Sequence, residues 1–354
     1  MAAEHGSGFR LAVLNPGGRD PEQDFAGLVS NAATSRLHAP VNFHAYAACT
    51  GGSFFRDAAR ASATGWPVLL LLRGDFRAAD RALESLQRAG RTVAVSLKET
   101  GLHQIVAQLS DPARLARFIE IVGQADGCIA PTAEAADLYR DVRRKKNGLA
   151  FIPTPYPLHD PQWDFSIGVE QRDGIFVGTR EWQVPSRNQA VALLAARHLS
   201  DRTGARVTVY NVDGRRGERL LSRVGLEADR LRVLSRRVGY AEYLRSVAQH
   251  KIVLQMDTSF VPGQVAGDAL LCRLPCVGGN GAVDRLAHPQ TCAAGRSGAE
   301  LVEMAARLLT ESDFYQRTVA ESQRNARERL SFGGGAEQLA RFFSQLPIRP
   351  TSAA

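Results

Sequence analysis

The segment from Lys251 to Gly279 constrains the fold of this chain more than any other. Two short apolar runs, residues 252–256 and 275–277, have the composition of buried β-strands, and the connection between them is long enough for a helix. Gly263 opens this connection, and Asp268 lies among small and aliphatic residues inside it. A glycine lets the backbone approach a phosphate closely, and a helix N-terminus offers free N–H groups to an anion. The segment predicts a βαβ unit, and the pattern alone fits both a nucleotide site and an ordinary buried unit.

The length and composition indicate a globular protein of two domains. The chain has 354 residues, too many for one typical hydrophobic core, and 44% of them are hydrophobic. No apolar run reaches about eighteen residues, so no transmembrane helix is expected. The N-terminal residues lack the apolar core of a signal peptide, and a cytoplasmic location is expected. The five cysteines form no CxxC pair, which favours buried thiols over disulfides or zinc ligands.

The basic residues of the chain are mostly arginines. The formal net charge is +8, and only four of the 44 basic residues are lysines. A basic surface suits phosphate-bearing ligands, anionic membrane surfaces or nucleic acid. Nucleic acid is disfavoured as a partner because the basic residues are spread along predicted helices without interleaved aromatic residues. The densest basic cluster, residues 143–146, fits either a solvated helix end or a peripheral contact with an anionic membrane surface.

Strands and helices alternate along the first half of the chain. Six apolar runs predict strands, and they lie at residues 11–14, 41–45, 68–72, 92–96, 127–130 and 149–152. Helices are expected in four places: after residues 51–52 and up to residue 61, up to residue 89, over residues 112–122, and after Thr132, a good N-cap residue. Such spacing is typical of a parallel sheet with helices on both faces.

Four prolines separate the two halves of the chain. Pro153, Pro155, Pro157 and Pro161 disfavour both helix and sheet interior, so the interdomain linker is expected there. Further strands are then predicted at residues 175–177, 207–211, 231–234, 252–256 and 275–277. Helices are expected between these strands, beginning with one capped by Ser186, and then over residues 299–310, 313–328 and 336–345, the last after three glycines. The expected fold class is α/β, with two doubly wound domains.

The second half carries motifs that resemble a known enzyme family. The sequence GIFVGTREWQVPSR places Gly178, Arg180 and Arg187 after a predicted strand. Further on, TSFVPGQVAGDALLCRLPCVGG matches the family pattern at Gly263, Asp268, Ala269, Pro275 and Val277. These motifs resemble the nucleotide-sugar domain of the retaining enzymes in glycosyltransferase family 4. The two-domain organisation resembles the GT-B fold of those enzymes.

The match departs from the family pattern at three positions. The first of the two family glutamates falls at Phe260, the second is replaced by Asp268, and the glycine before the proline is Arg273. In the family, the first glutamate contacts the donor sugar and the second contacts the ribose. The resemblance therefore implies ribose binding by Asp268 and does not identify the donor sugar.

The resemblance also implies how the chain is divided. Residues 1–160 would form an acceptor-side Rossmann-like domain, and residues 161–332 the nucleotide-sugar domain. Residues 333–354 would form a helix that crosses back to the first domain. In the GT-B fold the two Rossmann-like domains face each other across a cleft, and the site would lie in that cleft.

Several residues would contact the donor if the resemblance holds. They are Arg180 and Arg187 at the diphosphate, Gly178 and Gly263 at close backbone approaches, Gly239 and Tyr240 at the base, Asp268 at the ribose, and Gly17 and Gly18 at the sugar phosphate. Guanidinium groups fixed near a leaving diphosphate stabilise its developing charge more in the transition state than in the ground state. From the residues alone, Arg187 also fits a helix surface and Tyr240 a core aromatic position.

The predicted fourth strand ends in the most polar segment of the first half. Lys98, Glu99 and His103 follow this strand, at the place where the family often has a His-Asp pair that faces the cleft. They are our candidates for acceptor binding or acid–base catalysis, although each of them alone also fits a surface position. His44 lies in a predicted strand, where a satisfied core histidine is expected.

The expected activity follows from these motifs and from the metal motifs that are missing. The sequence contains no HExxH, DxD or HxH motif, so neither a metal ion nor a cofactor is expected. The resemblance implies a glycosyltransferase that moves a sugar from a nucleotide-sugar donor, with retention, to an unidentified glycan, lipid-linked sugar, small molecule or protein. Two alternatives are a nucleotide-sugar epimerase of the same fold and a degenerate GT-B protein that acts as a binding or scaffold protein.

Overall fold

The described residues of the chain form two compact units. The computed structural model describes residues 8–26, 38–143, 147–178, 181–211 and 214–347. The first unit is built from residues 1–157 and 331–354, and the second unit from residues 158–330. No helix in the described ranges is long and apolar enough to cross a membrane.

The first unit, in its described residues, contains a seven-stranded sheet. The strands are β1 (Ala12–Leu14), β2 (Gln23–Asp24), β3 (Ser53–Phe55), β4 (Val68–Leu72), β5 (Val93–Leu97), β6 (Gly127–Ala130) and β7 (Leu149–Phe151), in the order β2-β3-β1-β4-β5-β6-β7. All neighbours are parallel except β2 and β3, which pair antiparallel. Every residue of β4 and β5 is buried, as expected for central strands of a parallel sheet that is covered on both faces.

The second unit, as far as it is described, contains a five-stranded parallel sheet. Its strands are β8 (Ile175–Val177), β9 (Val207–Tyr210), β10 (Leu231–Leu234), β11 (Ile252–Leu254) and β12 (Cys276–Val277), in the order β10-β9-β8-β11-β12. The edge strand β10 is only partly covered, and Arg232 and Val233 in it are exposed.

Helices connect most of these strands in both units, and four further described helices follow β12. They are α1 (Phe43–Cys49), α2 (Ala58–Ala63), α3 (Arg77–Arg88), α4 (Leu102–Leu109), α5 (Pro112–Gln124), α6 (Ala133–Val142), α7 (Gln189–Thr203), α8 (Arg215–Val224), α9 (Tyr240–Ala248), α10 (Gln264–Leu271), α11 (Ala282–Ala287), α12 (Gly298–Thr310), α13 (Ser312–Leu330) and α14 (Phe332–Ser344).

Hydrophobic cores lie on both faces of the first sheet. Ala12 and Leu14 of β1 point into the core formed with α3, α5 and α6, and Leu11 and Val13 point into the opposite core. Helix α14 contributes Leu339 and its neighbours to this opposite core, beside α1. In the second unit, one face of the sheet packs on α7 and α12, and the other face packs on α9 and α10. Alternating side chains of each strand therefore serve two layers of helices.

Four local predictions are wrong. Residues 43–49 form the helix α1 and not a strand. Six of the seven residues of this helix are buried, so no polar face shows a helical period in the sequence. After residues 51–52 the chain forms the strand β3, and the next helix begins only at Ala58. Ser186 lies in a 3₁₀ turn, while Asn188 precedes α7. The three glycines 333–335 belong to the first turn of α14, whose N-cap is Ser331.

The predicted basic cluster at residues 143–146 is described only at its first residue. Arg143 is buried, and its guanidinium donates hydrogen bonds to the carbonyls of Val122, Ala125 and Asp126. This side chain therefore satisfies backbone carbonyls at the end of α5. Residues 144–146 lie outside the described residues.

Candidate functional site

Gly263 is the N-cap residue of helix α10, which begins at the edge of the second sheet where the parallel strands end. Its φ is +94°, in the left-handed region that favours glycine, and a Cβ atom there would lie 2.9 Å from Oδ2 of Asp284. No side chain caps this helix start among the described residues. The first N–H groups of α10 therefore present a backbone site suited to an anion.

Asp268 and Tyr240, which the sequence suggested separately for ribose and base, are in direct contact. Asp268 lies on α10 and is buried, and the Tyr240 hydroxyl donates a hydrogen bond of 2.5 Å to its Oδ1. Tyr240 is the first residue of α9 and follows the N-cap Gly239. Its ring lies 6.0 Å from the buried Trp163, so it is partly a core aromatic as well. The start of α9 thus meets the middle of α10 through one tyrosine–carboxylate pair.

Gly178 lets the end of β8 approach the start of α10. A Cβ atom on Gly178 would collide with the side chain of Val265, the second residue of α10, and would lie 3.1 Å from Val253. The glycine is therefore required by close packing of strand against helix. Arg180, predicted to contact the diphosphate, lies outside the described residues.

Arg187 is bound by two carboxylates of the second unit. Its guanidinium pairs with Asp257, which follows β11, and with Glu181. Burial alone would lower the pKa of Arg187, but the charges of these two carboxylates outweigh burial and raise it. A diphosphate would have to compete with both carboxylates for this arginine. In the structure Arg187 joins the segment after β8 to the segment after β11.

A buried carboxyl group, Asp284, lies beneath the Gly263 turn. Its Oδ1 accepts a hydrogen bond of 2.7 Å from Nε2 of Gln255. Burial, together with the charge of Asp257, raises the pKa of Asp284 to about 8. Asp284 occupies the first turn of α11 after a glycine-rich segment. Sequence reasoning missed this residue, and the only signal was an acidic residue in the first turn of a helix, which is common.

Two of the three departures from the family pattern, Phe260 and Arg273, share one backbone feature. Phe260 has a φ of +51° and Arg273 a φ of +49°, so both occupy the left-handed region without being glycines. The backbone N–H of Phe260 donates to Oδ1 of Asn280, and the guanidinium of Arg285 lies 5.5 Å from the Phe260 ring. An aromatic ring with a cation over it therefore stands where the family has its first glutamate.

The first unit presents a separate polar cluster where β1 and β5 end. After β1 the chain turns through residues 15–18, with a proline second and Gly17 third at a φ of +71°, and Gly18 N–H donates to the Asn15 carbonyl. This is the arrangement of a type II turn. Asn15 Nδ2 donates to Asp20 Oδ2 at 2.7 Å, and Lys98 Nζ lies 3.0 Å from the same oxygen.

Asp20 and Asn15 are functional candidates that sequence reasoning missed. Burial alone would raise the pKa of Asp20, but the charge of Lys98 and hydrogen bonds from Lys98 and Asn15 hold this pKa below its usual value. Oδ1 of Asn15 is buried and has no hydrogen-bond partner among the described residues. The turn sequence NPGGRD after the first strand was the available signal.

The other predicted residues of the first unit are spread over different elements. Glu99 lies in the loop after β5, and its carbonyl accepts a hydrogen bond from Gln108. His103 lies in the first turn of α4 and not at a strand end. His44 is a satisfied core histidine, but on α1: its ring stacks on Phe54 at 3.7 Å and its Nε2 donates to the Pro21 carbonyl. Of the predicted residues Lys98, Glu99 and His103, the structure therefore places Lys98 beside Asp20.

Groups suited to metal binding are not found in the described part of the chain. No three or more His, Cys, Asp or Glu side chains come together there in a way that could hold a metal ion.

Comparison with known proteins identifies the fold. No family model and no curated protein matches the chain, but solved structures do. HepE of Anabaena, in complex with UDP and glucose, matches with a TM-score of 0.62 and 16% identity over 96% of this chain and 100% of that chain. The trehalose-6-phosphate synthase OtsA matches with a TM-score of 0.61 and 12% identity over 82% of this chain and 76% of that chain.

A third solved structure extends the comparison. A mutant of S. aureus TarM, in complex with fondaparinux, alpha-GlcNAc-glycerol and UDP, matches with a TM-score of 0.59 and 11% identity over 78% of this chain and 55% of that chain. Identities this low establish the fold alone. The predicted fold class is confirmed, since the chain consists of two Rossmann-like α/β domains and has the GT-B fold.

Proposed function

We propose that this chain is a glycosyltransferase that takes its sugar from a nucleotide-sugar donor. The observation that carries the proposal is the contact between Tyr240 and Asp268 beside the uncapped start of α10. Both features lie where the parallel strands of the second sheet end, and open α/β sheets bind their ligands at that edge. HepE, which shares the fold, has been solved with UDP-glucose bound, which supports a nucleotide sugar as the donor class.

Each donor group has a matching feature in the second unit. The first N–H groups of α10 would bind the diphosphate, and Asp268 would accept hydrogen bonds from the ribose hydroxyls. Tyr240 holds the Asp268 carboxylate in place and would present its ring near the base. We propose that Arg180 supplies the positive charge for the leaving diphosphate, because Arg187 is already paired with two carboxylates.

The acceptor would bind at the polar cluster of the first unit. Asp20 and Lys98 form a charge pair there, and the cluster is reinforced by Asn15. An acceptor hydroxyl could donate to Asp20 and accept from Lys98, with Glu99 and His103 as further candidates for proton transfer. The family-4-like motifs support retention at the transferred carbon, with arginine and helix N–H groups in place of a metal ion. The acceptor itself is unidentified.

Binding of nucleoside diphosphates tests the proposal. We expect UDP to bind the wild-type chain, and Asp268→Asn to weaken it by about ten- to a hundred-fold, because losing a hydrogen bond to a charged group costs about 1.5–3 kcal/mol. Asparagine keeps the shape and the oxygen that Tyr240 contacts. Calorimetric titration of UDP, GDP and ADP measures the effect. Arg180→Ala should also weaken binding.

Asp201→Asn is the matched control for this experiment. Asp201 is an exposed residue of α7 that is paired only loosely with Arg197, and the variant makes the same chemical change outside the site. It should bind each nucleotide as the wild type does. Equal dissociation constants for wild type and Asp268→Asn, or no binding of any nucleoside diphosphate at millimolar concentration, would contradict the proposal.

One observation favours binding without turnover as a second candidate function. Phe260 replaces the family's first glutamate and lies beneath the guanidinium of Arg285. A turnover assay separates the candidates. A transferase releases UDP from UDP-glucose faster when an acceptor is present, an epimerase releases UDP without one, and a binding protein releases none while its dissociation constant stays measurable.

A further inference from the structure

A cavity of about 690 Å³ lies at the opposite edge of the second sheet, where the strands begin. Its lining includes Arg206 and Arg230, which directly precede β9 and β10, and Asp173 and His250, which lie two residues before β8 and β11. Pockets for small molecules typically measure roughly 300–1,000 Å³. Neither Tyr240 nor Asp268 is among the described residues that line this cavity.

The cavity exists because helix α9 covers only part of the sheet face against which it packs. Phe176, Thr208 and Arg232 are neighbours in register on β8, β9 and β10, and their side chains lie on one face. Tyr243 of α9 packs edge-on against Phe176 and Tyr210, with ring centroids 5.8 Å apart in each pair. Phe176 and Thr208 are buried, whereas Arg232 is exposed. The helical cover therefore ends between β9 and β10 and leaves a recess.

Four arginines line this recess, and two of them are already paired. Arg206 binds Asp173 at 2.7 Å, and Arg230 lies 3.3 Å from Glu227. The other two, Arg232 on the sheet and Arg245 in the last turn of α9, have no carboxylate partner among the described residues. These two form an unneutralised pair on different walls of the same cavity.

The other residues that line the cavity determine how much positive charge it carries. Asp229 is a second acidic residue of the lining besides the paired Asp173, and Arg245 offsets the negative end of the α9 dipole at the cavity. Burial lowers the pKa of His250 to about 4, so its imidazole is neutral at physiological pH. Phe165 provides an apolar wall, with the Arg245 guanidinium 5.9 Å from its ring.

We propose that this cavity binds a small phosphate-bearing ligand, with Arg232 and Arg245 as the phosphate contacts. The planar guanidinium donates two parallel hydrogen bonds to phosphate oxygens, which suits arginine to this role better than lysine. The phosphate is either a free inorganic ion or part of an organic molecule that also uses the apolar wall at Phe165. The site is independent of the donor site proposed above.

Calorimetric titration of the full chain tests this site. The probes are inorganic pyrophosphate, glucose 6-phosphate and, as an uncharged control, glucose. We expect at least one phosphate probe to bind, and the double variant Arg232→Ala/Arg245→Ala to weaken it tenfold or more. Asp229→Asn should tighten the same probe, because it removes a carboxylate of the lining. Tighter binding of glucose 6-phosphate than of pyrophosphate would identify an organic ligand, and the reverse order a free ion.

A charge-matched double variant distinguishes a built site from diffuse attraction. Arg219→Ala/Arg223→Ala removes two exposed arginines of α8, outside the cavity, and should leave binding unchanged. Asp268→Asn should leave it unchanged as well. The proposal is overturned if no phosphate probe binds at millimolar concentration, if glucose binds equally well, or if both double variants weaken binding to the same extent. Pyrophosphate binding that neither the cavity double variant nor Asp229→Asn alters would also overturn it.

Discussion

Arg273 occupies a position whose backbone conformation favours glycine. Helix α10 ends in a Schellman motif, in which Leu274 N–H donates to the Ala269 carbonyl at 2.9 Å and Arg273 N–H donates to the Leu270 carbonyl at 3.0 Å. This motif places Arg273 in the left-handed region, with a φ of +49°. The family pattern has a glycine at this position. The arginine therefore meets the same conformational demand at a cost in strain.

Replacement of Arg273 tests this strain. Arg273→Gly should have a higher free energy of unfolding than Arg273→Ala by about 1 kcal/mol, because only glycine adopts the left-handed region without a steric cost. Both variants lose the ion pair with Asp164, so that loss cancels in the comparison. Urea denaturation measures the difference. At Arg219, in the interior of α8, the order should reverse, with glycine less stable than alanine by about 1 kcal/mol. The same order at both positions would refute the argument.

Individual candidate residues were visible in the sequence, whereas their partners were not. Lys98 is visible because it follows a recognisable apolar run, and Asp268 because it is an acidic residue among small and aliphatic residues after Gly263. Their contacts are not visible, because contacts such as Tyr240 with Asp268 and Arg187 with Asp257 join residues far apart in the chain. The ion pairs of Arg187 with Asp257 and Glu181 engage this arginine within the protein, and no local sequence pattern indicates these pairs.

At the scale of elements, burial decides which strands and helices the sequence reveals. Strands β4 and β5 were predicted because they are continuous apolar runs buried on both faces. Helix α1 is also buried almost throughout, and its first residues were therefore mistaken for a strand, since a helix without a polar face shows no 3.6-residue period. Strand β3 has the sequence SFF and directly follows two glycines, so no continuous aliphatic run marks it. Local sequence does not correct such errors, because tertiary packing determines whether these residues form a helix or a strand.

The glycines at the start of α14 provide a test at this scale. Gly333 is exposed, and a Cβ atom there would meet nothing within 4 Å, so Gly333→Ala should stabilise the chain by about 0.5–1 kcal/mol. Gly335 is buried, and a Cβ atom there would lie 2.8 Å from Cβ of Pro155. Gly335→Ala should therefore destabilise by about 1–3 kcal/mol through overpacking. Thermal and urea unfolding of both variants measure the two signs, and equal effects would show that α14 does not begin as described.

At the scale of the whole molecule, three buried histidines and a buried aspartic acid among the described residues make stability depend on pH in opposite directions. Burial lowers the pKa of His44 to about 3, and of His250 and His288 to about 4. Burial raises the pKa of Asp284 to about 8. The folded chain therefore keeps three histidines neutral in acid, where the unfolded chain protonates them. It also keeps one aspartic acid protonated near neutral pH, where the unfolded chain ionises it.

The expected result is a free energy of unfolding that is greatest between about pH 6 and 7. As pH falls below 6.5, the unfolded chain takes up protons on the three histidines while the folded chain does not, and stability is lost despite the opposing effect of Asp284. As pH rises from about 7 to 8, most of the unfolded histidines are already neutral while the folded Asp284 retains its extra proton, so stability falls again until the pKa of about 8 is passed. Urea denaturation from pH 5 to 9 measures the curve. Asp284→Asn should abolish the decline between pH 7 and 8 and keep the loss in acid, since the histidines are unchanged. A wild-type curve that is flat from pH 7 to 8, or an Asp284→Asn variant that declines as the wild type does, would mean that Asp284 is ionised in the folded chain.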